Sequence, residues 1–296
     1  MPTPNTLGEY LRARRELVDP GDVGLRVAGV RRTPGLRREE VATLAGISAD
    51  YYLRLEQGRD RNPSPQVLTA LARVLGLDAA ATSYLLDVAN PPLPARTRAR
   101  TPRPETVPAS LRQLLATVNL PAFVESRMFD VLAANARATA LSPSMRPGEN
   151  RLRSMFLNPA ERDLYPEWSK QLAGLIGAFR ASIGPDADDP RIAQLVGELS
   201  LASEPFRRLW ARHDVRALKG RAVTMRHPEV GPLELWLEKL PVNDTDGQLL
   251  VIYHAEPGSA SAAALDRLVA PAPVATGPAS GRVASGARSR APRTRG

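Results

Sequence analysis

The stretch from Leu36 to Pro65, LRREEVATLAGISADYYLRLEQGRDRNPSP, constrains the fold more tightly than any other part of the chain. Val41, Leu44 and Ala45 fall on one helical face, and Gly46 follows where a tight turn needs a residue tolerant of positive φ. Ile47 can then tuck into a core, while Ser48 offers a side-chain oxygen to the orphan amides of a further helix over residues 49–57. Helix, glycine turn and capped helix make a helix-turn-helix arrangement. In its second helix Tyr52 and Leu55 face inward, which leaves Ala49, Asp50, Arg54 and Gln57 on the outward stripe. A first helix over residues 6–18, behind a Thr6 cap, and later ones near Pro65–Leu75 and Ala79–Val88 close an all-α five-helix bundle within residues 1–90.

Beyond this bundle the organisation changes. Residues 91–108 are dense in proline and arginine and read as a semi-extended linker. Residues 109–257 begin with a short helix (LRQLLATV) and two alternating strands about a turn near Ser126 and Arg127. They continue through helical material over 150–214 and end in strands at Ala222–Arg226, Leu233–Leu240 and Leu249–His254. That order predicts an α+β domain, an antiparallel sheet covered by helices. From Gly258 to the end the chain turns to Ala, Gly, Ser, Pro and Arg, a composition that reads as a disordered basic tail. Such a tail either adds salt-sensitive, sequence-independent attraction to nucleic acid or simply keeps the chain in solution.

Where the charge sits matters more than its total of +9. Residues 1–92 carry 12 basic and 11 acidic side chains and residues 111–257 carry 18 of each, so the excess lies in the linker and tail. Any specific recognition must therefore come from a few placed residues. There is no cysteine, which removes disulfides, thiol nucleophiles and thiolate metal sites. His213, His227 and His254 lack metal-ligand spacing, the run Asp186, Asp188, Asp189 reads as a helix-to-helix turn, and neither a nucleophile elbow nor a phosphate loop occurs. No catalysis, metal or cofactor is expected. Nothing approaches a span of about 18 apolar residues, and the opening residues lack a secretory pattern, so a cytoplasmic chain with no membrane partner is expected.

LAGIS, LEQGR and the five-helix order resemble the lambda-repressor/Cro-like helix-turn-helix class, the xenobiotic-response-element family. The resemblance implies base reading by Ala49, Asp50 and Arg54, support from Arg38, and backbone contacts from Arg59 and Arg61. Arg54 suits O6 and N7 of guanine. Asp50 either accepts from a cytosine amine or orients Arg54, and Tyr51 or Ser48 touches phosphate or a thymine methyl. The resemblance also pairs Arg15 with Glu56. The chain departs from the class at 19–35, read as a surface loop whose Arg26, Arg31 and Arg32 are candidates for phosphate or minor-groove contact.

The second half is similar to the MmyB-like ligand-binding domain, a PAS-like sensor of actinobacterial regulators, through DVLAAN, RDLYPEW, DDPR, LVGELS, FRRLWARHDV, RHPEVG and YHAEPGS. Family members generally carry a tryptophan where this chain has Ala134. What this implies is an apolar cavity between sheet and helices for a small, fatty-acid-like molecule. Phe123, Phe129, Asn135, Phe156, Tyr165, Trp168, Trp210, Met225 and Trp236 either line it or are plain core, and Arg212 and His213 are candidates to hold a carboxylate head. The expected function is a ligand-responsive transcriptional regulator, a homodimer on an inverted-repeat site in double-stranded DNA. The alternative is a protein-interaction module, docking for example a sigma factor, with a C-terminal dimerisation domain and only nonspecific DNA affinity.

Overall fold

The computed structural model describes residues 5–26, 31, 33–60, 62–90, 105–184, 189–217 and 220–268. The linker over 91–104, Arg32, Arg61, Asp186, Asp188 and the tail from 269 lie outside the described residues.

The first unit contains α1 (Thr6–Leu17), α2 (Arg38–Ala45), α3 (Ala49–Glu56), α4 (Pro65–Val74) and α5 (Ala79–Ala89). Tyr10, Leu11, Leu36, Val41, Tyr52, Leu55, Leu68, Leu71 and Leu85 form its fully buried centre. The cap of α1 is Asn5 rather than Thr6, and it accepts from the Gly8 amide at 3.1 Å. Asn5 also donates to the Glu56 carbonyl at 2.6 Å. A side chain at Gly8 would lie 2.1 Å from that carbonyl, so only glycine lets α1 and α3 approach this closely. Gly46 sits at φ 68° and ends α2 with its amide turned back to Ala42 and Thr43, and the Ser48 hydroxyl accepts from the Tyr51 amide at the start of α3. Within 19–35, residues Pro20–Val23 form a 3-10 turn. Arg31 is held inside the loop by Glu40 and the Gly35 carbonyl.

The second unit is built on a five-stranded antiparallel sheet in the order β2-β1-β5-β4-β3. Its strands are β1 (Ala122–Glu125), β2 (Val131–Ala134), β3 (Arg221–His227), β4 (Gly231–Pro241) and β5 (Leu249–His254). Alternation sends Phe123, Val251, Tyr253, Leu233, Leu235, Leu237, Val223 and Met225 to one face. Helices α7 (Ala136–Leu141), α8 (Arg151–Leu157), α9 (Pro159–Leu164), α10 (Trp168–Ile183), α11 (Pro190–Ala202) and α12 (Glu204–Trp210) pack on that face, joined by a helix over Ala260–Arg267. The opposite face of β1 and β5, with Ala122, Val124 and Leu250, packs on Val107 and on Leu115 of α6 (Ala109–Thr117).

Ordered structure continues past Gly258, where composition alone places the start of a tail. Residues Ala260–Arg267 form α13, which buries Ala264 and Leu265, and Leu268 follows them into the core. The Ser261 hydroxyl accepts from the Glu234 amide of β4 at 2.9 Å. Three apolar contacts and one edge hydrogen bond offset the entropy that the small-residue composition alone does not.

Candidate DNA-reading face and sensor core

On the first unit, α3 presents Ala49, Asp50 and Gln57 to solvent, with Tyr51 and Arg54 half-exposed beside them. Arg54 and Asp50, one helical turn apart, form an ion pair, and the Arg54 guanidinium lies 5.7 Å from the Tyr51 ring centre. Acceptor, aromatic edge and fork-shaped donor thus share one exposed strip. Its underside is fixed by Glu56, which is buried and accepts from Arg15 at 2.7 Å and from Arg38 at 2.6 Å. Arg15 also donates to the Leu36 carbonyl at 2.8 Å, tying α1, the entry to α2 and α3 together.

Arg38 therefore bonds α3 through one edge and keeps the rest of its half-exposed guanidinium outside. It borders a groove of about 400 Å³ lined by Arg12, Arg15 and Arg37 together with Glu16 and Glu39, beside the first turn of α2. Cations next to a helix N-terminus suit a phosphate oxygen. Ser48 spends its hydroxyl on the cap. Arg59 is exposed immediately after α3, its amide bonded to the Arg54 carbonyl at 2.9 Å.

In the second unit, Phe123, Phe129, Phe156, Tyr165 and Met225 all lie in the core between sheet and helices. Trp168 and Trp210 pack at its edge, the Trp168 indole donating to the Met155 carbonyl at 3.1 Å. Trp236 does not reach this core. It alternates with Leu235 and Leu237, which point inward, and is itself 47% exposed on the other face of β4; strand parity rules it out as part of the wall. Asn135 caps α7 and bonds the Ala122 amide and the Val118 and Leu120 carbonyls, so its amide group is structurally occupied. With Ala134 it borders an open groove of about 740 Å³ on the α6 side of the sheet, outside the sheet–helix core. Arg212 and His213 lie beyond the end of α12: Arg212 is exposed and pairs with Asp214 at 2.9 Å, while the His213 ring faces the first unit and meets Tyr10 with centres 6.4 Å apart.

The polar groups that do converge in the core are different ones. Glu125 at the end of β1 is fully buried, bonded to Lys239 of β4 and 3.7 Å from Arg151 of α8. Arg151 reaches the Tyr253 hydroxyl at 3.4 Å and lies over the Phe123 ring, while Lys239 lies over the Phe129 ring. Arg221 of β3 donates to Gln171 nearby. Burial lowers the pKa of Lys239 and of Arg221 and raises that of the Tyr165 phenol. One oxygen each of Glu125 and Glu161, the Arg151 Nε and the Tyr165 hydroxyl are buried without a hydrogen bond in the protein.

Sequence reasoning missed this cluster, although part of it carried a signal. Counting by twos along β4 runs Leu233, Leu235, Leu237, Lys239, and along β1 runs Phe123, Glu125, so each apolar stripe ends in a buried charge.

A helix-turn-helix domain model matches residues 6–85, and the MmyB-like transcription regulator ligand binding domain model matches residues 107–268. The chain belongs to the MmyB-like transcription regulator family. The chain is also similar, over 55 residues at 46% identity, to the uncharacterized HTH-type transcriptional regulator y4dJ of Sinorhizobium fredii, a match that covers 19% of this chain and 70% of that one. This MmyB-like regulator thus joins a DNA-binding helix-turn-helix to a ligand-binding domain of transcription regulators. Among the described residues no helix is long and apolar enough to cross a membrane.

Proposed function

We propose that the regulator reads a specific duplex sequence with α3 and that a small amphipathic anion held in the sensor core controls this reading. The observation that carries the first part is the exposed strip Ala49, Asp50, Tyr51 and Arg54 on a helix whose underside is locked by Glu56. Arg54 takes the two acceptors of a guanine and Asp50 fixes its fork. Arg37, Arg38, Arg59 and Arg61 supply phosphate contacts. Two copies on an inverted repeat place their α3 helices in major grooves about one helical turn apart.

For the ligand, three cations, Arg151, Arg221 and Lys239, meet the carboxylates Glu125 and Glu161 beside two phenols and an aromatic wall. That excess of positive charge suits a carboxylate head, and Phe123, Phe129, Phe156 and Met225 suit an aliphatic tail. Selection from a random duplex library by the full-length chain tests the DNA part: a defined inverted repeat supports it, and uniform salt-sensitive retention contradicts it. Native mass spectrometry of the purified chain tests the sensor part. A retained fatty acid that is lost in Lys239→Met supports it, whereas a chain that binds no added C12–C16 fatty acid contradicts it.

A further inference from the structure

The sensor unit does more than hang from a linker: it places part of itself in the core of the DNA-binding bundle. Val215 is buried among the helices of the first unit, and Ala181 of α10 packs beside it. Arg14 of α1 donates to Asp214 at 2.7 Å. The His213 ring stands edge-on to Tyr10, which itself contacts Tyr84 at 5.1 Å between ring centres and donates to the Ala81 carbonyl of α5. Arg180 of α10 is buried in the same seam with Tyr84, Tyr10 and Asp214 around it, donates to the Trp210 carbonyl at 2.7 Å and stacks on the Trp210 ring at 3.8 Å.

From this seam an unbroken aromatic series runs into the sensor core. Trp210 contacts Phe206 and Phe179, Phe206 contacts Phe156, and Phe179 contacts Phe129, with ring centres between 5.1 and 6.0 Å apart. Phe129 lies under the Lys239 ammonium, in the buried charge cluster. Phe129, at the sensor end of the series, has φ 65°, a left-handed conformation rare for a bulky side chain, and His213, whose amide donates to the Trp210 carbonyl at 3.2 Å, has φ 52°. Conformations of this kind persist only where the surrounding packing enforces them. Phe129 and His213 are therefore sensitive to how the helices between them are seated. On the other side of the seam, Arg14 is followed in α1 by Arg15, which holds Glu56 of α3.

We propose that His213, with Arg180 and the Arg14–Asp214 pair, is a coupling seam through which rearrangement of the buried sensor core shifts the seating of α1 and α5 in the DNA-binding bundle. His213 and Arg180 are positioning residues: they touch neither the reading strip nor the charge cluster. The mechanism is packing. A change at Lys239 moves Phe129, the aromatic series transmits it to Trp210 and Arg180, and the His213 ring and Asp214 carry it to Tyr10 and Arg14. This inference needs only the two units and their contact, so it stands apart from any operator or ligand.

The test is a double-mutant cycle read by amide hydrogen exchange on the full-length chain. Lys239→Met perturbs the sensor core, and His213→Gly removes the ring at the seam while leaving a residue at ease with positive φ. Lys239→Met should change exchange in α1 and α5 by about fivefold or more in the wild-type background, and by much less in the His213→Gly background. Should Lys239→Met unfold the sensor, Phe179→Leu is the second perturbation, with the same expectation. Equal changes in both backgrounds, or no change in either, overturn the proposal.

Discussion

Arg14 and Arg15 are neighbours in α1, yet they hold different parts of the regulator: Arg14 binds Asp214 of the sensor unit at 2.7 Å and Arg15 binds Glu56 of α3 at 2.7 Å. One turn of one helix thus anchors both α3, the proposed reading helix, and the unit that surrounds the buried charge cluster. The first of these anchors is also a determinant of stability. Glu56→Ala strands the buried Arg15 guanidinium, and it should cost about 3–5 kcal/mol of folding free energy in chemical denaturation. Arg38→Ala should cost less, because its guanidinium is half exposed and Arg15 still serves Glu56.

Arg59 stands outside the reading strip, on the exposed segment just after α3. Its removal should therefore weaken binding to all duplexes alike. Titration of Arg59→Ala against the selected site and a random duplex at several salt concentrations should show equal losses on both, with the salt slope reduced by about 1.

In the sensor core, the two partners of one ion pair should respond unequally. Glu125→Ala leaves Lys239 and Arg151 buried without their carboxylate and should destabilise the sensor by about 3–5 kcal/mol. Lys239→Met leaves Glu125 with Arg151 and keeps an unbranched apolar chain over Phe129, so its cost should be smaller. Comparing the two midpoints in urea checks the order.

His213 gives the seam a pH dependence. Burial first, then the charges of Arg180 and Arg14, push its imidazole down to about 3, against the favourable but weaker influence of Asp214. A solvated histidine titrates near 6.5, so between these values the undocked or unfolded form binds the proton that the docked form refuses. The contribution is complete above about pH 6.5 and is lost as the pH falls towards 3. Thermal unfolding between pH 7 and 5 should show a shallower loss of stability for His213→Asn, which cannot titrate and tolerates positive φ.

Much of the first unit was legible because its determinants are local. Gly46 and Ser48 specify a turn and a cap within a few residues, and Tyr52 and Leu55 reveal the inner face of α3 through their spacing alone. The strands were legible for the same reason, since alternation is visible along each one. What could not be read was where a side chain points once distant segments meet. Of His213 and Arg212, read as a carboxylate clasp, His213 turns towards α1, because the chain after α12 packs Val215 into the bundle, and Arg212 is taken up by Asp214. Asn135, read as pocket lining, is occupied by four backbone partners, three in the stretch 118–122 and one in α7. Trp236 is a matter of parity, and its neighbours Leu235 and Leu237 already decided it. Arg151 left no trace in its own helix, because its meaning comes from Glu125 and Tyr253, which the sheet brings to it.

If this regulator reads sequence through Arg54, as proposed, selection from a random duplex library with wild type and Arg54→Ala in parallel will show it. The wild-type chain should enrich an inverted repeat with a fixed guanine in each half-site. Arg54→Ala should lose preference at that position alone, by about 1–3 kcal/mol, and keep its affinity for random duplex. Equal losses on the selected site and on random DNA would rule out base reading by Arg54.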